Sequence, residues 1–298
     1  MHRALSILSS ARFAAPLSCR LALSQIRAES GFDFTRARAR AGFSRGHLLD
    51  VVVYLPGGDG NTHESGAAED LVRLLVGEEL FERWLGSVRA TPTVRGGLLT
   101  VLNENAEVRG ALPIEMLLDS VCAAIAGLKV GLVEPSLAQA ETDDWFAFEL
   151  SPEPAADYAA QDDLLFCSTR VPELKKSFLR GEPFFSGRFS ARGALFTYLK
   201  YDTLETTPEA RIAERAKFED SIHRVLRGDH GGLVGVGVGI RYGYIDLALT
   251  DPDCVGRLLL PELRAISISR RSWLLFCDSE LESEYLPVYP DSPAPFRR

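Results

Sequence analysis

The chain has few of the features that usually announce a chemistry. Its five cysteines, Cys19, Cys122, Cys167, Cys254 and Cys277, are odd in number and show no CxxC spacing, which argues against a disulfide framework and against a structural zinc site. Lysine occurs only at Lys129, Lys175, Lys176, Lys200 and Lys217, so arginine carries most of the positive charge. There is no uncharged run of about 18 apolar residues, the length a membrane-spanning helix needs. The nucleotide-binding spacing G-x-x-x-x-G-K-[ST] and the nucleophile elbow G-x-S-x-G are both missing. No family-specific motif stands in their place.

What is present is ordinary globular material: 298 residues, 46% hydrophobic and 25% charged, enough for one large or two small cores. The charge is uneven. Residues 1–48 hold eight arginines and only Glu29 and Asp33 as acids; subtracting them from the 33 basic and 41 acidic residues leaves 25 against 39. An acidic body argues against binding the phosphate backbone of nucleic acid, which needs a basic face. It would suit a basic protein partner instead. The first 28 residues carry four arginines, several serines and no acid, the composition of an organellar targeting segment; an over-extended start or a disordered leader is the plainer alternative. Residues 1–48 are therefore expected to be a disordered leader, and the expected location is cytoplasmic, with an organelle as the minor alternative.

From Leu49 the apolar patterning predicts a repeated order of elements. LDVVVYL reads as a buried strand ending at Pro56. Ala68, Leu71, Val72 and Leu75 recur at helical spacing, and Leu80, Phe81, Trp84 and Leu85 carry the pattern past Gly77. SVRATPTV and GLLTVLN read as a hairpin. Pro113 opens a helix with Ile114, Leu117, Leu118, Val121 and Ile125 on one face, and WFAFEL from Trp145 closes a βαββαβ unit over 49–150. A second unit over 193–288 repeats the order: GALFTYLKY, a helix capped by Thr207 and Pro208, the hairpin LVGVGVGI and YGYIDLAL, a helix opened by Asp251 and Pro252, and SWLLFC. At an offset of 146 residues Val94–Val101 lies over Ile240–Leu247, matching an arginine, a glycine and the aliphatic positions. The expected fold is α+β, a tandem duplication of a ferredoxin-like unit with strand order 4-1-3-2 and both helices on one sheet face. Residues 151–192 are expected to be a surface connector with an added edge strand at Asp163–Cys167, and 289–298 an irregular tail.

The open sheet faces are the candidate sites. The first should present Tyr54, Arg89, Thr91, Thr93 and Thr100; the second Tyr198, Gly235, Gly237, Gly239 and Asp246. A glycine stripe weakens a strand and marks close approach of backbone, side chain or ligand. The loop at 57–66 leads into a helix N-terminus, and Asp59, His63 and Glu64 offer a faint acid/base or metal combination there. Glu219 and His223 share a helix face, but spacing alone supplies too few metal ligands. The acids Asp278, Glu280, Glu282 and Glu284 read as a solvated run. No catalytic constellation, metal site or cofactor is expected. A non-catalytic, partner-binding protein is the leading expectation, and a small-molecule binder or enzyme using a cleft between the repeats is the alternative.

Overall fold

The computed structural model describes residues 13–58, 60–93, 110–132, 145–203 and 205–296. It is an α+β protein of two compact units that divide between Gly131 and Leu132.

The N-terminal unit opens with helix α1 (Cys19–Ser30), which buries Ala22 and Ile26. Strand β1 (Arg38–Phe43) pairs antiparallel with β2 (Leu49–Pro56). Helices α2 (Thr62–Val76) and α3 (Glu78–Trp84) then lead to β3 (Leu85–Thr93), which lies parallel to β2. The helical pattern breaks where expected to run on, because Gly77 takes φ 83° and ends α2, a left-handed conformation that side chains disfavour. Two-residue β4 (Leu112–Pro113) pairs with β1, and α4 (Leu117–Gly131) packs on β1 and α2. The sheet order is β3-β2-β1-β4.

Two expectations are corrected here. The described part of the 1–48 leader is ordered: Ala22, Ile26, Phe34, Ala37 and Ala39 are buried in the core, and that apolar burial repays the ordering of the backbone. The first 4-1-3-2 repeat is not formed as expected either, because β2 has β3 as its parallel neighbour and β1 on its other side. The segment GLLTVLN and the repeat match at 94–101 lie outside the described residues.

The C-terminal unit is built on seven strands: β5 (Phe146–Glu149), β6 (Leu164–Thr169), β7 (Leu195–Asp202), β8 (Gly231–Gly239), β9 (Tyr242–Leu249), β10 (Ser272–Phe276) and β11 (Tyr285–Pro287). They lie in the order β11-β10-β7-β9-β8-β6-β5, and every neighbouring pair is antiparallel. Within it, β10-β7-β9-β8 is the 4-1-3-2 order predicted for the second unit. Helix α5 (Pro172–Leu179) belongs to the connector. Helix α6 (Pro208–Leu226) starts at Thr207, whose side chain accepts from the Ala210 N–H, the N-cap the sequence implied. Residues 255–259 make a π turn that runs into α7 (Leu260–Ala265). The helical layer and one sheet face enclose Leu199, Tyr201, Phe218, Ile222, Ile245 and Leu274.

The other face is not open. Residues 155–163 and 170–192, on either side of β6, lie across it, burying Tyr158, Leu164, Cys167, Tyr198, Tyr244 and Trp273 in one cluster and Leu174, Phe184, Phe189, Phe196 and Val234 in another. The connector is thus a second layer rather than a surface link. β6 is an interior strand between β8 and β5, and WFAFEL, expected to close the first unit, forms the edge of this sheet.

Candidate functional site

The residues singled out on the second sheet face do converge, and on partners the linear sequence conceals. Asp246 on β9 stands opposite Tyr198 on β7. The Asp246 carboxylate is 2.9 Å from Lys175 Nζ on α5. Lys175 also donates to Gln161 Oε1 at 2.8 Å, and Gln161 Nε2 donates to Asp246 Oδ1 at 3.1 Å. All three side chains are buried. Burial opposes the Lys175 charge, but the Asp246 carboxylate outweighs it and holds the ammonium above its ordinary value. The glycine stripe makes room for this layer. A Cβ on Gly235 would collide with the Asp246 carboxylate and one on Gly239 with that of Asp163, while a Cβ on Gly237 would lie 2.6 Å from Leu164 Cδ2.

Asp163 is the second anchor. Its carboxylate, fully buried, accepts the N–H groups of Arg241 and Tyr242 at 2.8 and 2.9 Å and the Tyr244 hydroxyl. Next to it Lys200 Nζ donates to the Tyr158 carbonyl at 2.6 Å and sits 4.1 Å from the centre of the Tyr242 ring. At the sheet end, Asp157 and Asp202 each meet Arg241 and Arg271. Burial alone would raise the Asp157 pKa, but hydrogen bonds from Tyr242, the Tyr158 N–H and Arg271 overcome it and lower it.

Burial pushes the Lys200 ammonium down to about 8 from 10.5, although Asp163, Asp157 and Asp162 pull the other way. A lysine whose folded pKa is depressed costs stability below that value, and the cost fades as pH rises toward the unfolded pKa. Lys200→Met should therefore gain on the native protein most at pH 7. The difference should shrink by on the order of 2–3 kcal/mol as pH rises from 8 to 10.5. Urea midpoints across that range test it, and a pH-independent difference would show the lysine to be solvated.

Beside the Lys175–Asp246 pair, and within the C-terminal unit, a cleft of 1080 Å³ opens between the connector, the sheet face at Tyr198 and Leu275, and the turn at 279–283. Its far end is closed by the connector: Phe184 N–H donates to Ser279 Oγ at 2.9 Å, and the Ser186 N–H donates to Asp278 Oδ1 at 2.8 Å. Leu150, Leu164, Phe178, Phe184, Leu275 and Phe296 give it apolar walls, and Asp162, Glu182, Glu280 and Glu282 line it with acid. No lysine, arginine or histidine is among its described lining residues. Tyr198 lines it too, is 3% exposed, and its hydroxyl has no hydrogen-bond partner among the described residues. Burial, with Cys277, Asp246, Asp162 and Glu282 adding to it, pushes that phenol well above its ordinary pKa, so it stays a neutral O–H donor. Burial likewise keeps the Cys277 thiol, also in the lining, protonated, the opposite of what a reactive cysteine needs.

The remaining candidates are dispersed. In the N-terminal unit Arg89 is exposed and donates to Thr91 Oγ1 at 3.2 Å, and Thr91 stands opposite Tyr54, which is buried. Thr93 ends β3; Thr100 and Asp59 lie outside the described residues. The glycine loop is occupied by its own chain: Asn61 caps α2, and the buried Glu64 carboxylate turns back to accept the Gly60 N–H at 2.6 Å. Glu64 is thus a helix-capping carboxylate, and His63 is exposed in the same turn. Glu219 pairs with Arg215 at 2.7 Å, and His230 Nδ1 lies 2.9 Å from Asp251. Asp278, expected to be solvated, is buried against Ser186. Among the described residues no group of three or more His, Cys, Asp or Glu could hold a metal ion, and no helix is long and apolar enough to cross a membrane.

Sequence reasoning missed Lys175, Gln161, Asp163 and Lys200. One signal was available for the two lysines: in a chain that strongly prefers arginine, lysine stands at only five positions, and Lys175 and Lys200 are two of them. No family model matches the chain, and neither a curated protein nor a solved structure does.

Proposed function

We propose that this chain is a binding protein that takes a small organic molecule into the cleft of its C-terminal unit, on a ferredoxin-like core formed by β7, α6, β8, β9, the 255–265 helical segment and β10. The observation that carries the reading is the hydroxyl of Tyr198, which lines a 1080 Å³ cleft and has no protein partner among the described residues. A hydroxyl on a cleft wall that no protein group engages is available to a ligand, which can take the place of water there with a directed hydrogen bond. Apolar walls with few convergent polar groups are the usual make-up of a small-molecule site. Binding rather than catalysis is proposed because the one thiol among the described lining residues is held protonated.

Tyr198→Phe separates this role from a structural one. The unliganded variant should be as stable as the native protein or up to about 1 kcal/mol more stable, while native mass spectrometry should show loss of a molecule retained by the native protein. A clear fall in the thermal midpoint would mean that the hydroxyl serves the fold, and the reading would fail.

A basic protein partner is the second reading. The acids Asp162, Glu280 and Glu282 at the cleft favour it, because a lysine side chain is itself an ammonium group on an apolar stem.

A further inference from the structure

The segment after β11, expected to be an irregular tail, is tied to the sheet at one place and reaches the cleft at another. The Ser292 N–H donates to the Tyr289 carbonyl at 3.0 Å and the Tyr289 N–H to Ser292 Oγ at 3.1 Å, which closes a turn. Trp273 Nε1–H then donates to the Pro293 carbonyl at 2.6 Å. Trp273 is fully buried and shares its cluster with Tyr198, Leu164 and Leu275, three residues that also line the cleft. The anchor of the segment and the cleft wall are therefore one packed body, and the segment has a fixed end. Pro295 is buried; its ring fixes its own φ and restricts Ala294, so a stiff backbone leads from the anchor to Phe296.

Phe296 itself is held differently. It lines the cleft with its side chain 48% exposed, and residues 294–296 make no hydrogen bond among the described residues. A half-buried phenylalanine with no polar tether changes rotamer readily, and the apolar area it leaves in water is removed from water when it closes on an apolar surface. The other walls have less to gain. Leu164, Phe184 and Leu275 are already buried, and Leu179, an exposed lining residue, ends helix α5 and moves only with it. We propose that residues 293–296 are a strap and that Phe296 is its closing wall: when a molecule with an apolar body enters, the Phe296 ring turns onto it, while Trp273 and Pro295 hold the other end. This rests on the cleft reading above and adds to it the element that retains the ligand. A wall that closes after entry acts chiefly on the dissociation rate.

The test uses the full chain and prodan, a neutral naphthalene ketone whose apolar body suits the walls, whose carbonyl can accept from the Tyr198 hydroxyl, and whose emission moves to the blue out of water. Fluorescence titration gives its affinity and stopped flow its rates. Phe296→Ala should weaken binding about fivefold, the factor that burying the exposed half of one phenylalanine supplies. The loss should lie in faster dissociation, with the association rate changed less than about twofold, and Phe296→Leu should recover most of it. The thermal midpoint without probe should be the same in both variants and the native protein, as for other exposed positions. Unchanged or tighter prodan binding by Phe296→Ala, with Tyr198→Phe still weakening it, would overturn the strap and leave the cleft reading in place. A lowered midpoint in Phe296→Ala would show that the ring serves the fold and would also overturn the strap. Failure of prodan to bind, or binding indifferent to Tyr198→Phe, would overturn both.

Discussion

Asp246→Ala is expected to destabilise the C-terminal unit by about 3–5 kcal/mol, because it strands a buried ammonium. Lys175 is 2% exposed, and its two side-chain acceptors are Asp246 and Gln161. Without the carboxylate, the amide oxygen alone cannot offset the lost hydration of the charge. The loss should appear as faster amide exchange throughout β7 and β9, measured by mass spectrometry, and as a lower urea midpoint. Lys175→Met on the same background should recover most of it, since removing both charges leaves no uncompensated ion. A midpoint unchanged by Asp246→Ala would mean that water reaches Lys175 and that the connector does not seal this face.

Asp163→Ala should cost about as much by a different route. Three donors converge on that carboxylate, the N–H groups of Arg241 and Tyr242 and the Tyr244 hydroxyl. Each buried donor left without a partner costs about 1–3 kcal/mol; as neighbours they will not add, and about 4 kcal/mol in total is expected. Asp163→Asn should lose only about 1–2 kcal/mol. Its carbonyl can still accept the two N–H groups, and its amide can donate to Tyr244, whose hydroxyl already reaches the Ala160 carbonyl at 3.3 Å. Chemical denaturation of the two variants decides it, and equal losses would show that charge rather than hydrogen bonding holds the hairpin. Gln161, Asp162 and Leu164 line the cleft on either side of Asp163, so the alanine variant should also weaken any cleft ligand.

Both predictions concern the layer that sequence reasoning took for a surface link. Its prolines and charges gave that impression, and Lys175 and Asp163 are charged residues whose burial is tolerable only because a counter-charge or a set of donors waits on the sheet. Those partners are distant along the chain: Gln161 and Asp246 are 85 residues apart, and Asp163 and Tyr244 are 81. No local pattern carries such pairings. The two acids most visible as a motif, Asp59 and Glu64, gave the weaker site; Glu64 serves its own helix and Asp59 lies outside the described residues.

The sequence by itself determined the local elements, because the forces that make them act over a few residues. Thr207 and Pro208 start a helix, and the alternation in YGYIDLAL makes a strand with Asp246 and Tyr244 on the same side. In the C-terminal unit four of these elements lie in the order β10-β7-β9-β8, the order read for them from the sequence, within a sheet of seven strands. Tertiary structure alone decided which strands became neighbours elsewhere. RARAGF is too polar to announce itself as a strand, yet Arg38 donates to the Ala111 carbonyl and Ala39 is buried, while WFAFEL joined the later sheet rather than the earlier one. A strand's side-chain pattern specifies its faces, whereas its backbone edge will accept any strand that brings the right apolar surface. For the same reason the sequence marked Tyr198 and Asp246 as facing one side, and only the folded chain supplied the connector that turned that side into a cleft.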